Sequence, residues 1–123
     1  MGMVGGGEGA FIGAVHRIAA AIDGEIELVC GAFSSTKEKS LSSGLGLSLD
    51  KSRCYANYQE MFQQEAMLPE NERMDFVAIV TPNHLHFPVA KLAIEHGFHV
   101  MSDKPATLNL AQAYELKTLI EKH

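Results

Sequence analysis

The 123-residue sequence contains little cysteine, proline or basic charge, and it has no tryptophan. Its two cysteines, Cys30 and Cys54, lie in unrelated contexts without a C-x-x-C spacing. This placement favours reduced thiols in a cytoplasmic protein over a disulfide framework. Lys and Arg number 10 against 15 Asp and Glu, for a net charge of −5, and no basic run occurs. That balance argues against nucleic acid as a partner.

Long hydrophobic runs are also missing. No apolar stretch approaches the roughly 18 residues that a membrane-spanning helix needs, and Glu8 interrupts the start, where a secretory signal requires an unbroken apolar core. We therefore expect no membrane partner. With 46% hydrophobic residues the chain can bury one core, and its length predicts a single domain rather than a two-domain enzyme.

Segments of strand and helix character alternate along the chain. Strands are predicted at 1–4, 29–33, 53–55, 75–80 and 98–101, and helices at 10–22, 36–45, 57–66, 85–94 and 109–120. The apolar residues of the first helix recur at three- and four-residue spacing, opposite His16 and Arg17; they are Phe11, Ala14, Val15, Ile18 and Ile22. The alternation and the long connections predict an α/β fold with a three-layer, doubly wound, mostly parallel sheet.

Local signals mark several helix starts. Asn57 is a predicted N-cap, and Asn109 with Gln112 is a predicted capping box. Pro88 is compatible with its helix only near the helix start, because proline lacks the backbone N–H that interior positions donate.

The segment Gly5-Gly6-Gly7-Glu8-Gly9-Ala10 fits G-x-G-x-x-G/A between a predicted strand and a predicted helix. In such a turn the glycines permit a tight bend and a close approach to a pyrophosphate, which the helix N-terminus attracts. A second register through Gly7, Gly9 and Gly13 is also open. Dinucleotide binding is the favoured hypothesis, with S-adenosylmethionine methyltransferases as the main alternative of similar fold.

The end of the second predicted strand lacks an acid. Phe33-Ser34-Ser35-Thr36-Lys37 precedes Glu38, whereas NAD enzymes usually place a carboxylate here for the adenosine ribose. Hydroxyls together with Lys37 suit a 2′-phosphate, so NADP stays open beside NAD. The same residues are equally suited to capping the next helix.

Two loops reach the carboxyl edge of the predicted sheet: Thr81-Pro82-Asn83 and Ser102-Asp103-Lys104-Pro105. A lysine beside an oxidised nicotinamide can serve as acid or base for a substrate hydroxyl, which makes Lys104 a catalytic candidate. The alternative is an ordinary solvated surface lysine.

Three motifs in this order, Gly5 to Ala10, Thr81-Pro82-Asn83-His84-Leu85-His86 and Asp103-Lys104-Pro105, resemble the N-terminal domain of the Gfo/Idh/MocA oxidoreductase family over nearly the whole chain. The resemblance implies an NAD(P)-binding Rossmann domain at 1–123. It further implies hydride transfer between NAD or NADP and a sugar, a polyol or a related hydroxyl compound.

By position, the resemblance assigns cofactor-binding roles to Gly5, Gly7, Glu8, Gly9, Ala10, Phe11 and Ile12 around the pyrophosphate and to Ser34 and Ser35 at the adenosine ribose. Near the nicotinamide it assigns Thr81, Pro82, Asn83, His86, Asp103 and Lys104, with Lys104 also assisting proton transfer. The family's Glu-Lys-Pro stands here as Asp-Lys-Pro, so the shorter carboxylate changes the reach to the ribose. The Lys104-Pro105 bond is expected to be cis.

No metal site is predicted. His84 and His86, two apart on a helix, diverge by about 200° and cannot grip one ion. The other histidines, His16, His96, His99 and His123, have no partner that sequence reveals.

In the family that the chain resembles, a C-terminal domain supplies most of the substrate pocket, and 123 residues are too few to include that domain. The chain is therefore expected to be a piece of a larger, homo-oligomeric dehydrogenase, inactive alone and with an apolar surface where the missing domain packs. A stand-alone nucleotide-binding regulatory module is the alternative, and transient oxidation during elimination or glycoside cleavage also stays open.

Overall fold

The computed structural model describes all of residues 1–123, in which strands and helices alternate. The strands are β1 (Gly2–Gly5), β2 (Cys30–Ala32), β3 (Phe76–Val80) and β4 (His99–Ser102). The helices are α1 (Phe11–Ala21), α2 (Lys37–Gly46), α3 (Tyr58–Met67), α4 (Asn83–Glu95) and α5 (Leu110–Lys122), with a 3-10 turn at Lys51–Arg53. None of these helices combines the length and the apolar character that crossing a membrane requires.

The four strands form one sheet in the order β2-β1-β3-β4, and every neighbouring pair is parallel. The chain runs from β1 outward to β2, then returns across β1 to β3 on its other side. Connections from β1 and β3 thus leave in opposite directions, and a crevice opens between the carboxyl ends of these two strands. The predicted α/β fold with a parallel, doubly wound sheet is confirmed.

Alternate residues of each strand point to opposite faces of the sheet. Val77 and Ile79 of β3 join a cluster of 13 buried residues with side chains of α3 and α4. Ala78 and Val80 join a cluster of five, against which Ala20 of α1 packs. We refer to these as the two-helix face and the one-helix face.

Helix α1 turns its apolar side away from the sheet. The exposed fraction is 81% for Phe11, 66% for Ile18 and 79% for Ile22, whereas Gly13 is buried. The predicted spacing of these apolar residues is confirmed, but an amphipathic helix ordinarily directs them to the core. The reason for the reversal is close packing, since a Cβ on Gly13 would lie 2.4 Å from the Cα of Gly6.

The prediction of a strand at 53–55 is wrong. Arg53 ends the 3-10 turn, and only Cys54 forms a single parallel bridge, to Gly31. The segment is instead held by buried Glu65, whose carboxylate accepts hydrogen bonds from Arg53 Nε at 2.7 Å and from the Tyr55 hydroxyl at 2.7 Å. Side-chain bonds thus replace the ladder that a strand would make.

Both predicted asparagine caps are confirmed, since Asn57 Oδ1 accepts from Glu60 N at 2.8 Å and Asn109 Oδ1 accepts from Gln112 N at 3.0 Å. The Gln112 side chain accepts from Leu108 N, one residue before the cap, rather than from Asn109 N. Helix α4 begins at Asn83, two residues earlier than predicted, so Pro88 lies inside the helix rather than at its start.

Candidate functional site

The glycine-rich turn connects β1 to α1 through backbone conformations that favour glycine. Gly5, Gly6 and Gly9 have φ angles of +84°, +71° and +82°, in the left-handed region. A Cβ on Gly7 would lie 2.6 Å from the Phe33 carbonyl oxygen. Close packing of the helix on the turn occurs at Gly13, whereas Ala10 is exposed. Which of the two glycine registers binds a pyrophosphate stays a prediction.

Some backbone amides of this turn donate hydrogen bonds within the protein, and others have no partner. Gly7 N donates to the Phe33 carbonyl at 3.1 Å, and Glu8 N donates to Ser43 Oγ at 3.0 Å. The amides of Gly9, Phe11 and Ile12 have no hydrogen-bond partner, and the first turn of α1 carries no acidic residue. The positive end of the α1 dipole therefore presents unpaired donors, these three among them, to an anion.

Arg17 supports the turn from behind. Its Nη1 donates to the Gly6 carbonyl at 2.8 Å and contacts Met3 Sδ at 3.3 Å. Burial lowers the pKa of this guanidinium. Sequence reasoning missed Arg17 because the helical periodicity placed it opposite the presumed inner side.

A cleft of about 480 Å³ opens at the carboxyl ends of β2, β1 and β3. Five residues predicted from sequence line it: Gly5, Ser34, Ser35, Thr81 and Pro82. The other lining residues were given no binding role; besides strand residues and Phe33 they are Asn57, Tyr58, Gln59, His84 and Leu85. Asn57 and Tyr58 stand where α3 begins, a position that only the tertiary fold brings to this edge.

A second, polar pocket of about 420 Å³ adjoins the glycine turn, and Phe33 and Ser34 line both cavities. Lys39, Ser42 and Ser43 of α2 line it, together with Gly7, Glu8 and Ala10. The cation here is Lys39, whereas Lys37 lines neither cavity. Thr36 stands at the N-cap of α2 without a side-chain capping bond.

The Asp103-Lys104-Pro105 loop begins as a continuation of the sheet. Asp103 N donates to the Ile79 carbonyl at 3.1 Å, one step beyond the β3-β4 pairing. The Asp103 carboxylate lies 2.8 Å from His16 Nε2 of α1. The expected cis Lys104-Pro105 bond is confirmed, and Lys104 is exposed, with neither a hydrogen bond nor an ion pair.

His86 is buried, 1% exposed, and does not line the cleft. Its Nδ1 lies 2.7 Å from the Pro105 carbonyl oxygen, and its Nε2 lies 3.0 Å from the Thr81 carbonyl oxygen. The ring thus joins two backbone segments that border the site. The cofactor contact assigned to His86 by the resemblance stays a prediction.

Residues 1–123 match a family model described as "Oxidoreductase family, NAD-binding Rossmann fold". Among curated relatives, "Uncharacterized oxidoreductase YfiI" of Bacillus subtilis (strain 168) is 40% identical over 121 residues, which is 98% of this chain and 30% of that protein.

Two solved structures resemble the chain over nearly its whole length. An oxidoreductase from Pseudomonas syringae has a TM-score of 0.94 at 41% identity, covering 99% of this chain and 33% of the other. An inositol dehydrogenase homolog from Azotobacter vinelandii, complexed with NADH and myo-inositol, has a TM-score of 0.93 at 37% identity, covering 98% and 31%. The chain therefore spans about one third of the length of these relatives.

Proposed function

We propose that this chain, which belongs to the Gfo/Idh/MocA oxidoreductase family, is the cofactor domain of a dehydrogenase that acts on sugars, polyols or related hydroxyl compounds. The observation that carries the proposal is one sheet edge that combines free helix-end amides, a cleft and the Lys104 loop. The substrate class is supported by the Azotobacter vinelandii relative, which was crystallised with myo-inositol.

In this proposal the amides of Gly9, Phe11 and Ile12 bind the cofactor pyrophosphate, because they are unpaired donors at a helix N-terminus. Ser34 and Ser35 contact the adenosine ribose from the cleft wall. Because no carboxylate stands at that wall to favour the ribose of NAD, we propose both NAD and NADP as cofactors.

The Thr81–Asn83 turn and the Lys104 loop border the nicotinamide half of the site. A bound nicotinamide supplies hydride transfer. Lys104 holds the proton of the substrate hydroxyl at Nζ, and its lack of an ion-pair partner leaves this atom free for that role. Asp103 presents a carboxylate to the nicotinamide ribose from beside His16.

The remaining two thirds of a full-length relative are proposed to supply most of the substrate pocket. We therefore expect residues 1–123 to bind cofactor without turnover. Steady reduction of NAD or NADP by this chain with myo-inositol would contradict that expectation.

Calorimetric titration of the chain with NAD and NADP in parallel tests the cofactor assignment. We expect saturable binding of one or both at a 1:1 ratio. S-adenosylmethionine is the matched control, because it shares the adenosine but lacks the pyrophosphate that the α1 amides bind. Absence of binding by both dinucleotides, or equal binding of S-adenosylmethionine, would count against the proposal.

A further inference from the structure

Two histidines from opposite faces of the sheet hold the residues on either side of Lys104. His16 of α1, on the one-helix face, contacts the Asp103 carboxylate at 2.8 Å. His86 of α4, on the two-helix face, contacts the Pro105 carbonyl at 2.7 Å. Lys104 itself makes no side-chain contact of this kind and is exposed. The backbone on both sides is therefore what determines where its Nζ can reach.

We infer that His16 and His86 are positioning residues that together hold the Lys104 loop for proton transfer. The inference rests on the proposed function of Lys104. It adds to that function the two side chains that orient the loop, neither of which need touch substrate or the reacting atoms.

His86 is suited to this role by its burial and its two contacts. Each ring nitrogen faces a carbonyl oxygen, at Pro105 and at Thr81. A neutral imidazole donates to one of these oxygens, and a doubly protonated ring donates to both. In either state the ring fills the space between the end of β3 and the loop, and an apolar replacement would leave both carbonyls without a side-chain donor.

His16 connects the same loop to the glycine-rich turn. It lies on α1 just beyond the unpaired amides of Phe11 and Ile12, and next to Arg17, which holds the Gly6 carbonyl. The Asp103 side chain is 26% exposed and that of His16 is 20% exposed, so the pair is partly shielded from water. The helix that binds the pyrophosphate thereby also orients the loop that carries the lysine.

Amide hydrogen exchange in the cofactor-free chain tests whether His16 and His86 hold the Lys104 loop, an arrangement that we call the clamp. His86→Leu removes both ring contacts and His16→Leu removes the contact to Asp103. His96→Leu, directly after α4, and His99→Leu on β4 are matched controls, because neither side chain touches the loop. We expect exchange at Asp103, whose amide donates to the Ile79 carbonyl, to rise about tenfold in His86→Leu and several-fold in His16→Leu, with the amides of β1 and both controls unchanged. Unchanged exchange in both variants would overturn the inference. If His86→Leu does not fold, His86→Gln replaces it.

A second measurement separates positioning from stability. Lysines are reductively methylated with 13C, and the Lys104 signal is assigned by its loss in Lys104→Arg. On addition of NAD or NADP we expect a Lys104 shift change in the wild-type chain that is lost in His16→Leu, although the dissociation constant stays within about threefold. A retained shift change in that variant would contradict positioning. Failure of both dinucleotides to bind the wild-type chain would reject the proposed function, while the exchange experiment would still decide on the clamp.

Discussion

The two faces of the sheet are built for different tasks. The two-helix face buries 13 residues between strands, α3 and α4, with Phe62 and Phe98 at 6.1 Å between ring centroids. The one-helix face buries five, and its single helix shows its apolar side to solvent. The inward residues of α1, Gly13, His16 and Arg17, contact the glycine turn and the Lys104 loop instead. The two-helix face thus holds most of the core, whereas the helix of the one-helix face contacts the glycine turn and the Lys104 loop.

Two phenylalanines give the largest test of this contrast. Phe62→Ala removes a fully buried ring and is expected to lower the free energy of unfolding by about 3 to 5 kcal/mol. Phe11→Ala, at 81% exposure on α1, is expected to change it by less than about 0.5 kcal/mol. Denaturant unfolding measures both, and similar losses would remove the distinction between the faces.

The start of α1 allows a binding test that leaves the helix intact. Phe11→Pro deletes one unpaired amide, while proline is favoured at the first helical position and Ala10 already has the extended backbone that precedes proline. Loss of a hydrogen bond to a charged group predicts dinucleotide binding weaker by about 1.5 to 3 kcal/mol than in the reference variant Phe11→Ala, which keeps the amide. Equal affinity of the two variants by calorimetry would argue against pyrophosphate binding here.

Alkaline pH is expected to weaken the two-helix face. Burial, followed by the nearby Glu65 carboxylate, raises the pKa of Cys30, and burial followed by the hydrogen bond to Glu65 raises the pKa of Tyr55. Because the unfolded thiol and phenol ionise first, this stability is complete below about pH 8.5 and decreases as pH rises, by about 1.4 kcal/mol per pH unit for each group. Unfolding measured from pH 7 to 10.5 checks the slope.

Cys30→Ala is the matched variant for that titration. It should move the onset of the decline from about pH 8.5 toward about pH 10, where the unfolded tyrosine ionises. A wild-type stability that stays flat to pH 10.5 would show that neither group is linked to folding.

The smallest effect on stability is expected on the outward side of α1. Ile18→Lys with Ile22→Lys should alter the free energy of unfolding by about 0.5 kcal/mol or less, since both side chains are largely exposed. The same pair should reduce self-association in sedimentation velocity, because it breaks an apolar surface. Leu45→Lys on α2, 50% exposed, controls for added charge. An equal decrease of self-association in the double variant and in Leu45→Lys would show that the apolar side of α1 does not drive it.

The elements that sequence predicts well are those defined by local signals. The buried strand β3 and the caps at Asn57 and Asn109 depend on residues a few positions apart. Helix α2 is weakly marked because its inward side consists of small residues, Ser40, Ser43 and Gly44, rather than apolar ones.

Only the part of the candidate site that local motifs define could be predicted from the sequence. Motif residues such as Ser34 and Thr81 line the cleft, and their contacts to a cofactor stay predictions. The contact between His16 and Asp103 joins residues 87 positions apart, and no local pattern specifies it. The direction in which α1 points its apolar residues was also not predictable from sequence. Helical periodicity shows that these residues share one side of the helix, but not which side of the helix meets the sheet.

The bond from Asp103 N to the Ile79 carbonyl has a consequence for insertions and deletions. Because the chain at Asp103 still follows the two-residue alternation of a strand, one residue inserted at the connection between Ser102 and Asp103 would turn the Asp103 carboxylate from the His16 side toward the α4 side. The length of this connection is therefore constrained as strictly as its composition, although it lies in a surface loop where length changes are ordinarily tolerated.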